Sequence, residues 1–302
     1  MFSDNTNIKN TVLILVFVKN LRLVYLQIIM PKIIDCFIFY NELNLLNLRF
    51  HELNKDVDLF VLVESTKTFS NNPKPLFYLN NKELFSEFNH KIIHYIVDDM
   101  DNINAKNAWD RESHQRNCIR RALENQQITD EDIILYSDLD EIPNPKCFYE
   151  IKTCLIENNI TRVVLCQRFF YYNFSCENKE KYRHQKSRNT IALLYKNLKK
   201  TSPQYMRGRR GQYHRIHNGG WHCSYFGSAE EIANKIKQFS HQEYNTPKYL
   251  DLNKISENIH LGNDLFDRKN EKWEYNDIGK DKHLPKYKEL LIDKLLVNTL
   301  PF

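Results

Sequence analysis

Glycine and proline are scarce in this chain, with 7 glycines and 9 prolines among 302 residues. That scarcity excludes a collagenous, linker-rich or low-complexity protein. The sequence also lacks a GxxxxGK[ST] loop, which argues against a phosphotransferase of the P-loop type. No two of the 7 cysteines stand at CxxC spacing, so neither a zinc knuckle nor a dithiol redox motif is expected. Their odd number and apolar surroundings favour free thiols in a reducing compartment, without excluding one or two disulfides.

An excess of charge of one sign is also missing. The chain has 43 lysines and arginines against 38 aspartates and glutamates, a formal net charge of +5. A nucleic-acid partner requires a concentrated basic face, whereas acids and bases are evenly mixed here. We therefore expect no nucleic-acid partner, and a local site for an anionic ligand instead.

The first 30 residues lack the uninterrupted apolar run of a membrane anchor. Residues 11–29 are strongly apolar, but Lys19 and Arg22 interrupt them, and a charge at the centre of a spanning helix costs about 3 kcal/mol. Three interpretations stay open: a poor signal-anchor, an amphipathic surface segment, or sequence upstream of a start at Met30. We expect an apolar extension at 1–30 and one folded domain at 31–302. A soluble cytoplasmic protein is favoured over a protein anchored in the secretory-pathway lumen, and membrane association stays open.

From Lys32 onward, apolar runs alternate with helical patterns. Near-continuous apolar runs are typical of strands covered on both faces, and they predict strands at 33–39, 58–64, 91–97, 132–137 and 162–166. Helical spacing predicts helices at 41–53, 110–126 and 228–239, the last with Ser228 as N-cap and Glu231 in a capping box. The Gly- and Arg-rich composition of residues 207–221 predicts a loop. The alternation predicts an α/β fold whose mixed, mostly parallel sheet is flanked by helices and binds ligands at the carboxyl ends of its strands.

The fourth predicted strand ends in carboxylates. Asp138 and Asp140 are two residues apart and Glu141 adjoins them. Asp138 and Asp140 are candidate metal ligands, and Asp138 and Glu141 are candidate donor-binding residues. Carboxylates this close raise each other's pKa unless a cation neutralises them. A hard divalent ion, Mn²⁺ or Mg²⁺, suits such oxygen ligands and leaves positions for phosphate oxygens. This is the Asp-x-Asp arrangement of nucleotide-sugar transferases, in which the metal stabilises the departing nucleoside diphosphate. The plainer interpretation is a solvated acidic turn.

Other candidate residues flank this strand. The helix before it places Arg116 or Asn117 near a nucleotide, although Glu112 and Arg116 also suit an ordinary helix salt bridge. Glu64 ends the second strand, where its carboxylate suits a uracil or ribose hydroxyl and equally suits the backbone of the following turn.

The basic segment RGRRGQYHRIHNGGWH offers arginines for a diphosphate, because the guanidinium fork matches phosphate oxygens. Arg210 is our choice among them. Trp221 is a candidate to pack a sugar ring, and His222 a candidate to complete the metal shell. His241 is a weaker candidate of the same kind, and a structural histidine is the ordinary alternative.

Five strings in order carry a resemblance to a known family: KIIDCFIFYNELNLLNLR, VDLFVLVESTKTFSNNPKPL, WDRESHQRNCIRRAL, ILYSDLDEIPNP and GGWHCSYFGSAEEIANKIKQFSHQEYN. In them the chain resembles glycosyltransferase family 17, the family of the bisecting N-acetylglucosaminyltransferase. The resemblance covers Lys32 to about Asn245. It implies a GT-A-like nucleotide-sugar-binding fold, inverting β-transfer of N-acetylglucosamine from UDP-N-acetylglucosamine, and a Mn²⁺-type ion at Asp138 and Asp140.

The resemblance also implies the partners. In the well-known members the acceptor is the core β-mannose of an N-glycan, so a UDP-sugar donor and a glycan or glycoprotein acceptor are expected. The family's animal members are membrane-anchored Golgi proteins, and the N-terminus of this chain departs from them. The resemblance therefore supports the donor chemistry of this chain better than it supports the acceptor or the cellular compartment.

An inverting transfer needs a base that deprotonates the acceptor hydroxyl. Three glutamates near the GGWH segment are nominees, and capping is the more ordinary role for the second: Glu230, Glu231 and Glu243. The aromatic run at 169–174 is either an acceptor-facing wall or core packing. Two alternatives to the main hypothesis are a non-catalytic carbohydrate-binding module and a transferase of the same fold that uses another nucleotide sugar.

Overall fold

A computed structural model describes residues 11–16, 24–179, 187–269 and 271–292 of the chain, with side chains described from residue 30 onward. The strands are β1 (Thr11–Val16), β2 (Val24–Ile29), β3 (Ile33–Phe39), β4 (Leu59–Ser65), β5 (Ile92–Val97), β6 (Ile133–Asp138), β7 (Glu141–Pro143), β8 (Val163–Cys166), β9 (Arg168–Tyr171), β10 (Cys176–Asn178), β11 (Arg188–Leu194), β12 (His214–Ile216), β13 (Gly220–Ser224) and β14 (Trp273–Tyr275).

The α-helices are α1 (Leu43–Leu53), α2 (Phe77–Asn80), α3 (Ala108–Leu123), α4 (Phe148–Lys152), α5 (Tyr195–Leu198), α6 (Pro203–Gly208), α7 (Ala229–Gln238), α8 (Pro247–Leu250) and α9 (Leu252–Leu261). Short 3₁₀ segments occur at Lys82–Lys91, Pro145–Cys147, Arg210–Gln212 and Gln242–Tyr244, and a π-helical turn at Thr153–Glu157.

The main sheet has seven strands in the order β12-β8-β11-β6-β3-β4-β5. Strand β3 pairs in parallel with β4 and β6, and β5 pairs in parallel with β4. Strand β11 runs antiparallel to both of its neighbours, β6 and β8. All seven residues of β3 are buried, as expected for a strand covered on both faces. The predicted α/β class, with a mixed and mostly parallel sheet between helices, is confirmed.

Helices cover both faces of this sheet. One apolar cluster packs α1 and α4 against one face, and a second packs α3 and α6 against the other. Helices α3 and α7 both begin with a capping box, formed by Asn107 and Asp110 in α3 and by Ser228 and Glu231 in α7. The predicted capping box at Ser228 is thereby confirmed.

A second sheet has five strands in the order β14-β10-β9-β13-β7. The aromatic run at 169–174 lies in and after β9, and its side chains are mostly core. Phe169, Tyr171 and Tyr172 pack in a third cluster with α7 and α9. Core packing is thus the main role of this run, although Tyr171 also lines the cavity described below.

The prediction of a loop at 207–221 is wrong. This stretch contains the end of α6, strand β12 and the start of β13. Strand β13 pairs with β7 and β9, two strands far away in sequence, so local patterning gives no sign of it. Gly220 permits the approach, because it has φ of +133° and a Cβ there would lie 2.1 Å from the Ile142 carbonyl oxygen.

Strands β1 and β2 pair antiparallel with each other as a separate two-stranded sheet. Within the ranges that the structure describes, no helix is long and apolar enough to cross a membrane. All seven cysteines are buried and unpaired, as the sequence favoured.

Candidate active site

A cavity of about 410 Å³ opens where β3, β4 and β6 end, the edge at which parallel sheets bind ligands. Two walls enclose it. The sheet wall consists of the lining residues between 38 and 141, which lie at the ends of these strands, after them or on α3. The C-terminal wall consists of the lining residues between 171 and 268. They come from the five-stranded sheet, from α6, α7 and their flanking segments, and from the segment after α9.

Arg49 of α1 holds the acidic segment from behind. Its side chain is fully buried and pairs with Asp35 through Nε–Oδ2 and Nη2–Oδ1 distances of 2.8 and 2.7 Å. Nη1 also donates to the backbone oxygens of Asp138, Leu139 and Glu141 at 3.0, 2.9 and 3.2 Å. Arg49 is not among the residues predicted from the sequence. The aspartate within the apolar run IIDCFIF signals such a residue, since a buried carboxylate needs a partner.

Arginines neutralise two of the three carboxylates. Arg207 pairs with both oxygens of Glu141 at 2.8 and 2.7 Å and with Asp138 Oδ2 at 2.6 Å. Arg116 donates to Asp138 Oδ1 at 3.0 Å. Burial by itself would raise the pKa of Asp138, but Arg116 and Arg207 outweigh it and hold that pKa well below its ordinary value. Arg207 lowers the pKa of Glu141 against burial in the same way.

The metal role of Asp138 stays a prediction. Close carboxylates need a cation to offset their charges, and at Asp138 two guanidinium groups supply positive charge. Both oxygens of its carboxylate accept hydrogen bonds from arginine. Arg116, one of the predicted donor-binding residues, acts on this carboxylate directly.

Asp140 has different neighbours. Its Oδ2 lies 3.1 Å from Lys235 Nζ, which also pairs with Glu42 at 3.0 Å. Its Oδ1 lies 3.8 Å from Nε2 of His222. The pairing of β13 with β7 places His222 opposite Glu141, next to the acidic segment. Burial lowers the pKa of His222 even though Asp140 acts to raise it, which favours the neutral imidazole that binds metals.

Asp140 and His222 fit a divalent ion. Metal–oxygen and metal–nitrogen bonds of about 2.1 Å allow two ligand atoms to be up to about 4.2 Å apart, and the observed distance is 3.8 Å. In the described part of the chain, the one three-residue group whose ligand atoms lie within 4.8 Å of one another is Asp99, His114 and Cys118, outside the cavity.

The remaining predicted donor-binding residues divide into two groups. Arg210 and Glu141 line the cavity, whereas Asn117 and Glu64 do not. Asn117 Oδ1 accepts from the backbone N–H of Gln204 at 3.0 Å, so it holds α6, which carries Arg207. Burial and the nearby Arg207 lower the pKa of Arg210.

Glu64 is fully buried and lies outside the cavity lining. Its carboxylate accepts from Lys74 Nζ at 3.2 Å and from the Tyr78 N–H at 3.2 Å, and it pairs with His94 at 3.0 Å. Glu64 thereby holds Lys74, whose side chain lines the cavity. Its contact with a donor stays a prediction.

None of the three nominated bases lines the cavity, and the catalytic role of each stays a prediction. Glu231 accepts from the Ser228 N–H in the capping box, and the exposed Glu230 accepts from the Ser228 hydroxyl at 2.8 Å. Glu243 lies 2.7 Å from Nδ1 of His241, and it is His241 that lines the cavity.

Trp221 is likewise not available to a sugar in this cavity. Its side chain is buried and donates to the His283 carbonyl oxygen at 2.8 Å, on the side of the molecule where a second cavity lies.

Comparison with known proteins gives a family. The family model described as Glycosyltransferase family 17 matches residues 24–296. The chain is 27% identical over 116 residues to the beta-1,4-mannosyl-glycoprotein 4-beta-N-acetylglucosaminyltransferases of Rattus norvegicus and Homo sapiens. The matched segment is 37% of this chain and 22% of the length of those relatives.

Three solved structures that match this chain have low sequence identity to it. The S. aureus TarS 1–349 structure has 12% identity and a TM-score of 0.40, with 76% of this chain and 72% of that chain covered. The same protein in complex with UDP-GlcNAc has 11% identity and a TM-score of 0.36 over 76% and 70%. Galactosyltransferase LgtC in complex with donor and acceptor sugar analogs has 11% identity and a TM-score of 0.35 over 90% and 97%.

Proposed function

The chain belongs to glycosyltransferase family 17, and from this premise we propose that residues 31–302 form one catalytic domain that transfers N-acetylglucosamine from UDP-N-acetylglucosamine to a glycan hydroxyl. The relatives named above are N-acetylglucosaminyltransferases that act on a mannosyl-glycoprotein. The observation that carries the proposal is the position of Asp140. It lies at the carboxyl end of the parallel strands, 3.8 Å from a histidine whose pKa is lowered.

The cofactor is a divalent ion, Mn²⁺ or Mg²⁺, held by Asp140 and His222. When bound, such an ion supplies Lewis-acid stabilisation of the charge on the departing diphosphate. Lys235 and Arg210 line the same cavity and offer cationic donors to the diphosphate oxygens. Burial acts to lower the pKa of Lys235, but Asp140 and Glu42 outweigh it, so the ammonium stays charged.

Arg207 contributes to the site without contacting the donor. It binds Asp138 and Glu141 together and thereby fixes the turn that presents Asp140. Arg49 fixes the backbone of the same turn from the opposite side. Preorganised charges of this kind stabilise a transition state without reorganising during the reaction.

The transfer is inverting in this proposal. The acceptor oxygen attacks C1 of the sugar on the face opposite the diphosphate, and a base takes the proton of the acceptor hydroxyl. The expected acceptor is a sugar hydroxyl of a glycan or glycoprotein.

The proposal is tested with the full chain, Mn²⁺ and a panel of UDP-N-acetylglucosamine, UDP-galactose, UDP-glucose and GDP-mannose. We expect nucleoside diphosphate release from UDP-N-acetylglucosamine, reduced at least about 100-fold by a chelator or by Asp140→Ala, since several kcal/mol of charge stabilisation are lost. The matched control is Asp130→Ala, an exposed aspartate paired with Lys199 outside the cavity.

Two other outcomes have clear meanings. Faster release from another nucleotide sugar would reassign the donor while keeping the site. A folded protein that neither binds nor turns over any of the four would contradict the transferase and favour a carbohydrate-binding module.

A further inference from the structure

A histidine–glutamate pair lies in the C-terminal wall, past the end of α7. Nδ1 of His241 is 2.7 Å from Oε1 of Glu243. His241 lines the cavity, and Glu243 lies behind it. A carboxylate on Nδ1 fixes the tautomer that has a proton there and a lone pair on Nε2. No hydrogen-bond partner of Nε2 occurs among the residues that the structure describes.

We propose that His241 is the general base that deprotonates the acceptor hydroxyl, and that Glu243 is the positioning residue that orients the imidazole. This inference rests on the transferase function proposed above. It assigns a base from contacts in the cavity, where the three glutamates nominated from the sequence do not lie.

The carboxylates of the cavity are poorly suited to this task. Five of them belong to the described lining, and each is paired with a cationic side chain: Glu42 and Asp140 with Lys235, Glu112 with Arg116, Asp138 with Arg116 and Arg207, and Glu141 with Arg207. The oxygens of these carboxylates are engaged by cations, whereas His241 is held by a carboxylate at Nδ1 and has Nε2 left to accept a proton.

The segment that carries His241 is tied to α3. The hydroxyl of Ser240 donates to Oε2 of Glu112, and Glu112 in turn pairs with Arg116, which binds Asp138. A chain of hydrogen bonds therefore connects the residue before His241 to the acidic segment. The imidazole ring also packs edge-on against Trp109, with ring centroids 4.4 Å apart.

Trp109 supports an acceptor position next to the imidazole. It lines the cavity and yet is 44% exposed, which is unusual for a large hydrophobic side chain beside a cleft. A flat amphipathic ring of this kind suits the apolar face of a sugar ring. A sugar stacked on Trp109 has its hydroxyl groups within reach of the neighbouring His241.

The step balances as follows. Nε2 of His241 accepts the proton of the acceptor hydroxyl while a lone pair of that oxygen forms the new bond to C1 of the donor sugar. The bond from C1 to the phosphate oxygen breaks, and its electron pair leaves with the diphosphate. Glu243 stabilises the resulting imidazolium, which then loses its proton to water, because the His241 side chain is 46% exposed.

The test uses UDP-N-acetylglucosamine and Mn²⁺, and it measures the UDP released when the sugar is transferred to water or to an acceptor glycan. The full-length variants are His241→Ala and Glu243→Gln. Donor affinity is measured separately by tryptophan fluorescence. His241→Ala should lower kcat by about 100-fold or more, with the donor Kd within about twofold of wild type. The matched controls are His217→Ala and Glu257→Gln, exposed residues outside the cavity that should leave kcat unchanged.

Glu243→Gln separates the orientation of the imidazole from effects on folding. Because Glu243 holds Nδ1 of His241, Glu243→Gln should lower kcat by about 10-fold or more while the donor Kd stays within about twofold of wild type. Glu243→Asp, which keeps a carboxylate, should restore part of the kcat. Glu257→Gln, at an exposed residue outside the cavity, should leave kcat unchanged.

Each outcome decides between explanations. If His241→Ala keeps kcat within about threefold of wild type, or loses donor affinity in parallel with kcat, the assignment of the base is overturned while the transferase stands. If the wild type binds no UDP-N-acetylglucosamine, the proposed function itself fails, and the base fails with it.

Discussion

The two walls of the cavity are built in different ways. The sheet wall follows from strands that are apolar along their whole length, and its polar side chains come directly after those strands or on the first turns of α3. The C-terminal wall contains Arg207 from the end of α6, His222 from β13, Lys235 from α7 and His241 from the segment after α7. Only distant strand pairing and helix packing bring these four together.

The walls meet at the acidic segment, and its two aspartates belong to different environments. Asp138 ends β6 and is bound by arginines on both oxygens. Asp140 lies two residues further along the chain and faces Lys235 and His222 of the opposite wall. Two carboxylates that look equivalent in sequence therefore have different neighbours, and in our proposal Asp138 supports the segment while Asp140 binds the metal ion.

The largest expected effect comes from removing the support of the sheet wall. Arg49→Ala leaves Asp35 buried without its partner, so we expect a loss of about 3–5 kcal/mol of unfolding free energy, measured by urea denaturation. The control is Lys196→Ala, which removes an exposed pair with Glu131 and should cost at most about 1 kcal/mol. Equal losses in the two variants would show that Arg49 does not hold the wall.

The next effect tests the division between the two aspartates. His222→Asn should weaken Mn²⁺ binding by about 10- to 100-fold, as measured by electron paramagnetic resonance of the free ion. Asp138→Asn should weaken it less, because its oxygens are directed at Arg116 and Arg207. An equal loss in both variants would restore Asp138 to the metal shell.

A smaller effect concerns the pH dependence of stability. Burial lowers the pKa of His222 in the folded state from its ordinary value of 6.5, so the unfolded chain binds more protons as the pH falls below 6.5. The contribution of His222 to the unfolding free energy is complete above pH 6.5 and is lost as the pH falls through the lowered pKa of His222. In urea denaturation without metal, His222→Asn should show a shallower loss of stability below pH 6.5 than wild type. A steeper loss in the variant would contradict the lowered pKa.

The smallest effects compare the two capped helices. Asn107→Ala removes the cap of α3 in the sheet wall, and Ser228→Ala removes the cap of α7 in the C-terminal wall. Each should cost about 1 kcal/mol of unfolding free energy. A cost near zero for Ser228→Ala alone would mean that α7 is held by its packing and not by its cap.

The sheet wall was predictable from the sequence because its signals are local. Near-continuous apolar runs identify β3, β4 and β6, and the position of the acidic segment at their carboxyl ends follows from the parallel arrangement. The capping box at Ser228 and Glu231 is local in the same sense, and it too was predicted correctly.

The C-terminal wall was not predictable in the same way. Arg207 and His222 lie in a stretch that looks like a loop, because their neighbours in space come from β7 and β9. The sequence shows no cation beside Asp138, because Arg207 reaches it only through the position of α6. The three nominated glutamates are close in sequence to GGWH, whereas His241 lines the cavity.

The account depends most directly on Asp140 as the residue that couples the divalent ion to the donor. The decisive measurement is isothermal titration of UDP-N-acetylglucosamine into wild type and Asp140→Asn, each with Mn²⁺ and with a chelator. We predict binding by wild type that weakens when the metal is removed, and binding by the variant that is weak and no longer responds to metal. Metal-dependent binding of equal strength in the two proteins would contradict the account.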